Sequence, residues 1–472
     1  MSEYTTTIGI EVHAELTTNS KMFCGCKNDP HAAEANTHVC PVCMAHPGTL
    51  PTVNEAAIKK VRLVGEAIGA TLTDFSEFDR KNYFYPDIPK AYQISQYAYP
   101  LVTGGEIAGV AITRIHLEED TARSQHDQGA GSLVDFNRAG VPLMELVTEP
   151  VVHSAEEAGQ FARELQLLLR TLGVSHANME KGEMRVEANI SVSKSDELGT
   201  KVEVKNLNSF KTMEAAIAFE TKRQIELLES GRDVTQETRG WDEAKSKTFS
   251  QRSKESANDY RYFPDPDIPK YEFKNVEEMT SSRLAENMPV LPHQIRNKYR
   301  DLGILKEQSE VILQSSRLQP YFWSVVDEMG SGDAEAVRLA ANYVSSDVLS
   351  LLQQDTEASL SSETVPQYVS LIELLAAGTI NSRTAKDLLP EVVFDGIDPE
   401  VVAKERGLTQ QNSAGSLQPL VEQIITENES VVSDVKTGNE KAIKFLVGQG
   451  MKLSKGTANP QLLEQLLKDS IA

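Results

Sequence analysis

The sequence predicts an α+β protein: a large mixed β-rich domain, then an all-helical domain, then a small helical tail. Three observations carry this. Residues 1 to about 290 are rich in short alternating runs, proline, glycine and aromatics. From Leu291-Pro292 the spacing turns helical, with few aromatics and many Ala, Leu, Glu and Ser, as far as about 405. A polar stretch, Gly407-Leu408-Thr409-Gln410-Gln411-Asn412-Ser413-Ala414-Gly415-Ser416, then precedes a last helical segment to Ala472. The expected domains are 1–290, 291–406 and 407–472.

A chain of 472 residues suffices for several domains and a large core. Its formal net charge of −22 argues against a surface that is basic throughout, so any contact with nucleic acid must be local. No run of 18 apolar residues is present, so no transmembrane helix is expected. Met1-Ser2-Glu3-Tyr4 leads directly into a strand pattern, which gives no expectation of a secretory signal. Four cysteines clustered between positions 24 and 43 read as a metal site or as reduced thiols of a cytoplasmic protein, not as a disulfide framework.

The first strand, Thr7 to Leu16, alternates. Ile8, Ile10, Val12, Ala14 and Leu16 share one face, and Glu11, His13 and Glu15 share the other. Two carboxylates and an imidazole in a row, spaced by roughly 7 Å, offer ligands for a divalent cation; carboxylates suit Mg2+ and a histidine suits a transition metal better. A strand with a solvated outer face gives the same pattern. Cys24-Gly25-Cys26 and Cys40-Pro41-Val42-Cys43 bracket 13 residues, and two close thiol pairs across a loop suit a tetrahedral structural zinc site. The first pair is tighter than the usual spacing, and plain buried thiols are the alternative.

Phe78 to Gln96 packs aromatics, prolines and cations together, and the prolines forbid a continuous helix or central strand. Its aromatic rings beside Arg80, Lys81 and Lys90 suit a base and a phosphate. Aromatics as core, with lysine as a solvated rim, are the plainer account. Tyr260 to Lys270 echoes the segment, and the two loops are expected on opposite sides of one cleft. Next, a strand from Ala111 runs into Glu118-Glu119-Asp120, where a cation would relieve three consecutive acids. Glu145 interrupts an apolar strand, which is costly without a cation or donor beside it. Residues 154–172 read as a helix, with Ser154 as N-cap, Glu157 completing a capping box and Gly173 as the stop. Residues 185–192 and 201–206 alternate again and can pair as a hairpin, which would set Arg185, Glu187, Asn189, Ser191, Lys201, Glu203 and Lys205 on a common hydrogen-bonding floor; a solvated sheet face gives the same pattern. In the tail, Lys436, Lys441, Lys444, Lys452 and Lys455 stand against Asp434 and Glu440, a local +3. Ala442, Phe445, Leu446 and Met451 form the packing stripe there, leaving a lysine face for phosphates or for solvent.

Several of these stretches together resemble one family. Gly9 to Leu16, Asp79 to Gln96, Leu117-Glu118-Glu119-Asp120, Lys205-Asn206-Leu207-Asn208-Ser209-Phe210, Asp259 to Asp267, Phe445 to Gln449 and Lys455 to Pro460 closely resemble the B subunit of the aspartyl/glutamyl-tRNA amidotransferases, in the right order over essentially the whole chain. The resemblance implies a cradle, a helical and a tail domain. It implies a ligase that works in a heterotrimer with an amidase (A) subunit and a small C subunit, with no membrane partner. A protein of this kind takes Glu-tRNA(Gln) or Asp-tRNA(Asn) and phosphorylates the side-chain carboxylate with ATP. Ammonia that the amidase releases from glutamine then displaces the phosphate.

Carried over by motif position, Glu11, His13, Glu119 and Glu145 are implied as the catalytic, Mg2+-holding residues, with Glu118 the near alternative. Arg80, Lys81, Lys90 and Lys205 are implied to hold phosphate or line the ammonia path. Cys24, Cys26, Cys40 and Cys43 are the zinc candidates; some family members lack such a quartet, so zinc is dispensable for the activity. The sequence has no phosphate-loop or dinucleotide fingerprint and no amidase-type Gly-Ser-Ser-Gly stretch, so ATP must use a site that short motifs do not reveal and ammonia must come from a partner. A non-catalytic tRNA-binding scaffold is the competing reading.

Overall fold

The computed structural model describes residues 4–125, 131–253, 259–330, 333–411, 413–436, 439–454 and 456–471. The chain divides into two compact units, Met1–Pro292 and His293–Ala472. Among the described residues no helix is long and apolar enough to cross a membrane.

The first unit is built on strands β1 (Thr5–Glu15), β2 (Asp79–Asn82), β3 (Tyr92–Ser95), β4 (Val110–Glu119), β5 (Pro142–Thr148), β6 (Met184–Ser193), β7 (Val202–Leu207), β8 (Glu237–Asp242), β9 (Lys247–Ser253) and β10 (Phe263–Pro264). Its helices are α1 (Glu55–Ala67), α2 (Ala155–Thr171) and α3 (Phe210–Glu229). A ten-stranded sheet runs in the order β9-β8-β7-β6-β1-β5-β4, continued by the short strands Val102–Thr103 and Thr71–Leu72, with Glu106–Ile107 paired to β4 off this path. β1 is thus central, antiparallel to β6 on one side and to β5 on the other.

One face of β1 is apolar, and Ile8, Ile10, Val12 and Ala14 are buried in the main core. Ile58 and Val61 of α1, Phe161 and Leu165 of α2 and Met213 and Ile217 of α3 pack into that same core. The three helices therefore cover the apolar side and leave the polar side of the sheet as a floor. Local chemistry starts each helix. Asn54, Ser154 and Ser209 cap them by accepting from Ala56, Glu157 and Thr212 backbone N–H. The Glu157 carboxylate reaches back to the N–H of His153, one residue before the expected partner, and Gly173 ends α2 at φ +64°.

The hairpin expected from 185–192 and 201–206 forms as β6 and β7. The echoing loops do not face each other across a cleft: β10 pairs with β2, and β2 with β3, in one three-stranded sheet. Their similarity reflects neighbouring strands with related demands rather than opposed walls.

In the second unit, Gly407 turns the chain at φ +64° after a helix at Pro399–Glu405. Helices α4 (Ala414–Glu427), α5 (Glu429–Lys436), α6 (Glu440–Leu453) and α7 (Pro460–Ile471) follow and share a core of Leu417, Val421, Ile424, Ile443, Leu446, Leu463 and Leu467. Lys436, Lys441, Lys444 and Lys452 are exposed, while Lys455 lies outside the described residues. Phe445 does not join the packing stripe: it is 48 % exposed on the lysine side, and Ile443 packs inward instead.

Candidate active site

Four strands bring one residue each to a single row across the floor. His13 on β1 stands opposite Arg185 on β6 and Glu145 on β5, and Glu145 stands opposite His116 on β4. Residues two apart on a strand share a face, so Glu11 and Glu118 join the same surface. The His13 Nε2 atom lies 3.6 Å from Glu11 Oε1, 3.6 Å from Glu118 Oε1 and 3.4 Å from Glu145 Oε2. His116 Nε2 meets the same Glu145 oxygen at 3.4 Å. Glu11, His13 and Glu145 form one triad whose ligand atoms lie within 4.8 Å of one another; His116, Glu118 and Glu145 form a second.

The electrostatics follow from burial and crowding. Burial alone would raise the Glu145 carboxyl, but the imidazoles of His116 and His13 overcome it and hold the group well below the usual carboxylate range. Burial lowers His13, yet the carboxylates of Glu145, Glu118 and Glu11 lift it to about 9. Glu11 is pushed up to about 7, first by burial and then by Glu145, against the pull of His13. Lys81 sits where burial opposes its charge, and Glu118, Tyr262 and Glu145 hold it above the ordinary lysine range. Its ammonium also lies 5.2 Å from the centroid of the Tyr260 ring. Carboxylates converging on one protonated imidazole are a donor set that fits a divalent cation: oxygen ligands in excess, with a proton standing where a larger charge would serve.

The three consecutive acids do not share a cation, because alternation sends them apart. Glu118 faces His13. Asp120, on the same side, pairs with Arg185 at 2.8 Å and Arg138 at 3.7 Å. Glu119 points to the opposite face, where its Oε2 receives Lys90 Nζ at 2.7 Å and its Oε1 receives the Ile94 N–H at 3.0 Å. Lys90 and Glu119 line a cavity of about 180 Å³, together with Cys24, Cys43, Tyr92 and Asp267. Arg80 and Lys81 divide in the same way. Arg80 donates to Asp265 at 2.8 Å and Asp267 at 3.1 Å and lies 4.4 Å from the Tyr92 ring centroid. It fastens β10 and the segment after it, rather than facing the carboxylates. Lys205 on β7 bonds Glu187 at 2.7 Å, one strand beyond Glu11.

The sulfurs of Cys24, Cys26, Cys40 and Cys43 all lie within 4.8 Å of one another. Zn–S bonds of roughly 2.3 Å place tetrahedral sulfurs about 3.8 Å apart, so the cluster can hold a structural metal with little movement. Cys43 accepts from the Cys40 N–H at 3.2 Å, and its thiol is lowered to about 5, chiefly by a hydrogen bond from Cys24.

Residues 6–278 match the GatB/GatE catalytic domain, and residues 321–471 match the GatB domain. The chain belongs to the GatB family. It is 42 % identical over 482 residues to the B subunit of the aspartyl/glutamyl-tRNA(Asn/Gln) amidotransferase of Thermoanaerobacter sp. (strain X514), covering all of both chains. Its identity to the B subunit of the same enzyme from Caldicellulosiruptor saccharolyticus is 43 % over 485 residues, and to that from Brevibacillus brevis 41 % over 482, with 99 % of each chain covered.

In this GatB-family chain, the expected set Glu11, His13 and Glu145 is brought together, with Glu118 beside it. Glu119 is not: it lies behind the strand, and the reason is the two-residue period of β4. His116 was missed by the sequence reading, and Arg185 was placed on the polar floor without being taken as a site residue. The alternation Arg114, His116, Glu118, Asp120 was the available signal for the first, and the register of β6 against β1 supplies the second.

Glu15 extends the same face. Burial and the neighbouring Asp120 raise its carboxyl to about 8, against an ordinary value of 4.5. The folded chain therefore binds more protons than the unfolded one between those values, so this group removes stability as pH rises from 4.5 through about 8. We expect Glu15→Gln to flatten that decline, read from urea midpoints at several pH values in chelator; an unchanged slope would exclude the buried acid as its source.

Proposed function

We propose that this chain is the tRNA-binding and carboxylate-activating component of an aspartyl/glutamyl-tRNA(Asn/Gln) amidotransferase. It takes Glu-tRNA(Gln) or Asp-tRNA(Asn) and uses ATP to phosphorylate the side-chain carboxylate. The acyl phosphate then reacts with ammonia supplied by an amidase (A) subunit, in a cytoplasmic heterotrimer completed by a small C subunit. The observation that carries this reading is the convergence of Glu11, Glu118 and Glu145 on His13 in a chain related over its full length to such B subunits.

A carboxylate is a poor electrophile because its leaving group would be oxide; phosphorylation supplies a better one. Phosphoryl transfer asks a protein mainly for positioning and for charge against the transferred oxygens. Glu11, His13, Glu118 and Glu145 would hold Mg2+, which when bound neutralises phosphate charge. His116 holds Glu145 in place by its own contact with Oε2. Lys81 offers a fixed positive charge over the same acids, and Lys205 steadies Glu187 beside Glu11. Lys90 and Glu119, on the opposite face, belong to the cavity wall. The cysteine quartet would hold structural zinc, and residues 407–472 would form the tRNA-binding tail domain that follows the helical domain 291–406.

A scaffold without chemistry offers no reason to gather acids on a half-buried floor, since each is costly to bury. The test is ATP cleavage by the assembled complex without an ammonia donor. Misacylated tRNA should stimulate it tenfold or more, and Glu11→Ala should abolish that stimulation, a barrier change of at least about 1.4 kcal/mol. Absence of stimulation, with tRNA still bound, would favour the scaffold.

A further inference from the structure

Lys21 stands just beyond β1, and it is fully buried, at 0 % exposure. Taking an ammonium out of water costs several kcal/mol unless a negative charge compensates it. Its Nζ donates to the Phe136 carbonyl at 3.0 Å and reaches Cys43 Sγ at 4.0 Å. Neither contact is a carboxylate, and among the described residues Nζ forms no ion pair with Asp or Glu. The backbone is woven into the cysteine knuckle as well: Lys21 N–H donates to the Cys26 carbonyl at 2.9 Å, and the next residue, Met22, donates to Gly140 at 2.7 Å.

Without a metal, only the single sulfur of Cys43, at 4.0 Å, faces this ammonium. Four thiolates around one divalent cation carry a net −2, with the charge concentrated on the sulfurs. We infer that Lys21 is the built-in counter-charge of a four-thiolate metal centre formed by Cys24, Cys26, Cys40 and Cys43. The inference rests on the metal reading of the quartet and goes beyond it in assigning Lys21. It gives that residue two tasks. It lowers the centre from −2 to −1 from its buried side, next to Cys43. Through Phe136 and its neighbour's bond to Gly140, it also fastens the knuckle to the turn that leads into β5, the strand carrying Glu145. A lysine that merely filled space would do neither, and methionine would replace it with little loss.

The experiment uses the full chain and Co2+ as probe, read by thiolate-to-cobalt charge-transfer absorption under a competing chelator, with Zn2+ competition to follow. Wild type should bind one Co2+ with four-thiolate intensity. Lys21→Met should weaken binding at least tenfold, and Lys21→Arg should stay within about threefold of wild type because it keeps the charge. The sign then reverses without the centre. In a Cys24→Ser, Cys43→Ser background, Lys21→Met should raise the thermal midpoint, because it removes a buried charge that has lost its partner. That background also decides the matter where Lys21→Met alone fails to fold. Failure of wild type to take up Co2+ would overturn the metal reading itself. Normal Co2+ uptake by wild type, with equal affinity in Lys21→Met or an equal loss of midpoint in both backgrounds, would overturn the counter-charge assignment alone.

Discussion

Replacing Glu145 by glutamine is expected to lower kcat/KM for ATP-dependent amidation by about a thousandfold or more, roughly 4 kcal/mol, while tRNA affinity stays within about twofold. Glu145 is the one carboxylate common to both triads, and its Oε2 receives both His13 and His116 at 3.4 Å. Glutamine keeps the volume and an acceptor, so the packing of β5 survives; what disappears is the charge. A second readout follows without any metal. His13 is lifted to about 9 against an ordinary 6.5, with Glu145 the first of the carboxylates to overcome the lowering by burial. A raised histidine contributes stability fully below pH 6.5 and loses it as pH rises through about 9. The glutamine variant should show less of that loss, measured by urea unfolding in chelator, and a lower His13 titration by NMR. Near wild-type turnover in Glu145→Gln would remove this residue from the chemistry.

Neutralising Lys441, Lys444 and Lys452 together, each to glutamine, is expected to weaken tRNA binding by about ten- to a hundredfold at moderate salt. These residues are exposed on α6. At about 100° per residue they share one side of the helix, and Phe445, 48 % exposed, lies on the same side. Each lost phosphate contact should also make the dependence of log affinity on log salt shallower by about one. On the proposed binding role, the activity at saturating tRNA should be retained, so the loss appears in KM rather than kcat. Unchanged affinity and slope would leave this side as an ordinary solvated face.

The floor was legible because alternation is a local property: Glu11 and His13 on β1, and Arg185 and Glu187 on β6, announce their face within a few residues. What alternation cannot supply is parity across strands. Glu118 and Glu119 are equivalent by composition, and the pairing of Leu143 with Glu118, 25 residues apart, decides which of them looks toward His13. Arg80 and Lys81 pose the same question, answered by the pairing of Phe263 with Arg80. Phe445 was assigned to the core by its apolarity, although its helical angle groups it with the lysines. The echo of Asp79–Gln96 in Tyr260–Lys270 was visible, but adjacency in one small sheet is a long-range fact that neither segment encodes alone.

The central position of β1 sets a schedule for the growing chain. Thr5–Glu15 leaves the ribosome ahead of its two partners, Pro142–Thr148 and Met184–Ser193, which emerge more than a hundred residues later. At ordinary synthesis rates the interval is on the order of ten seconds or more. Throughout it, a strand with one apolar face and both edges unpaired waits beside nascent sequence that cannot complete it. Binding of a chaperone to this segment is therefore expected until its partners emerge, and premature release there would favour aggregation.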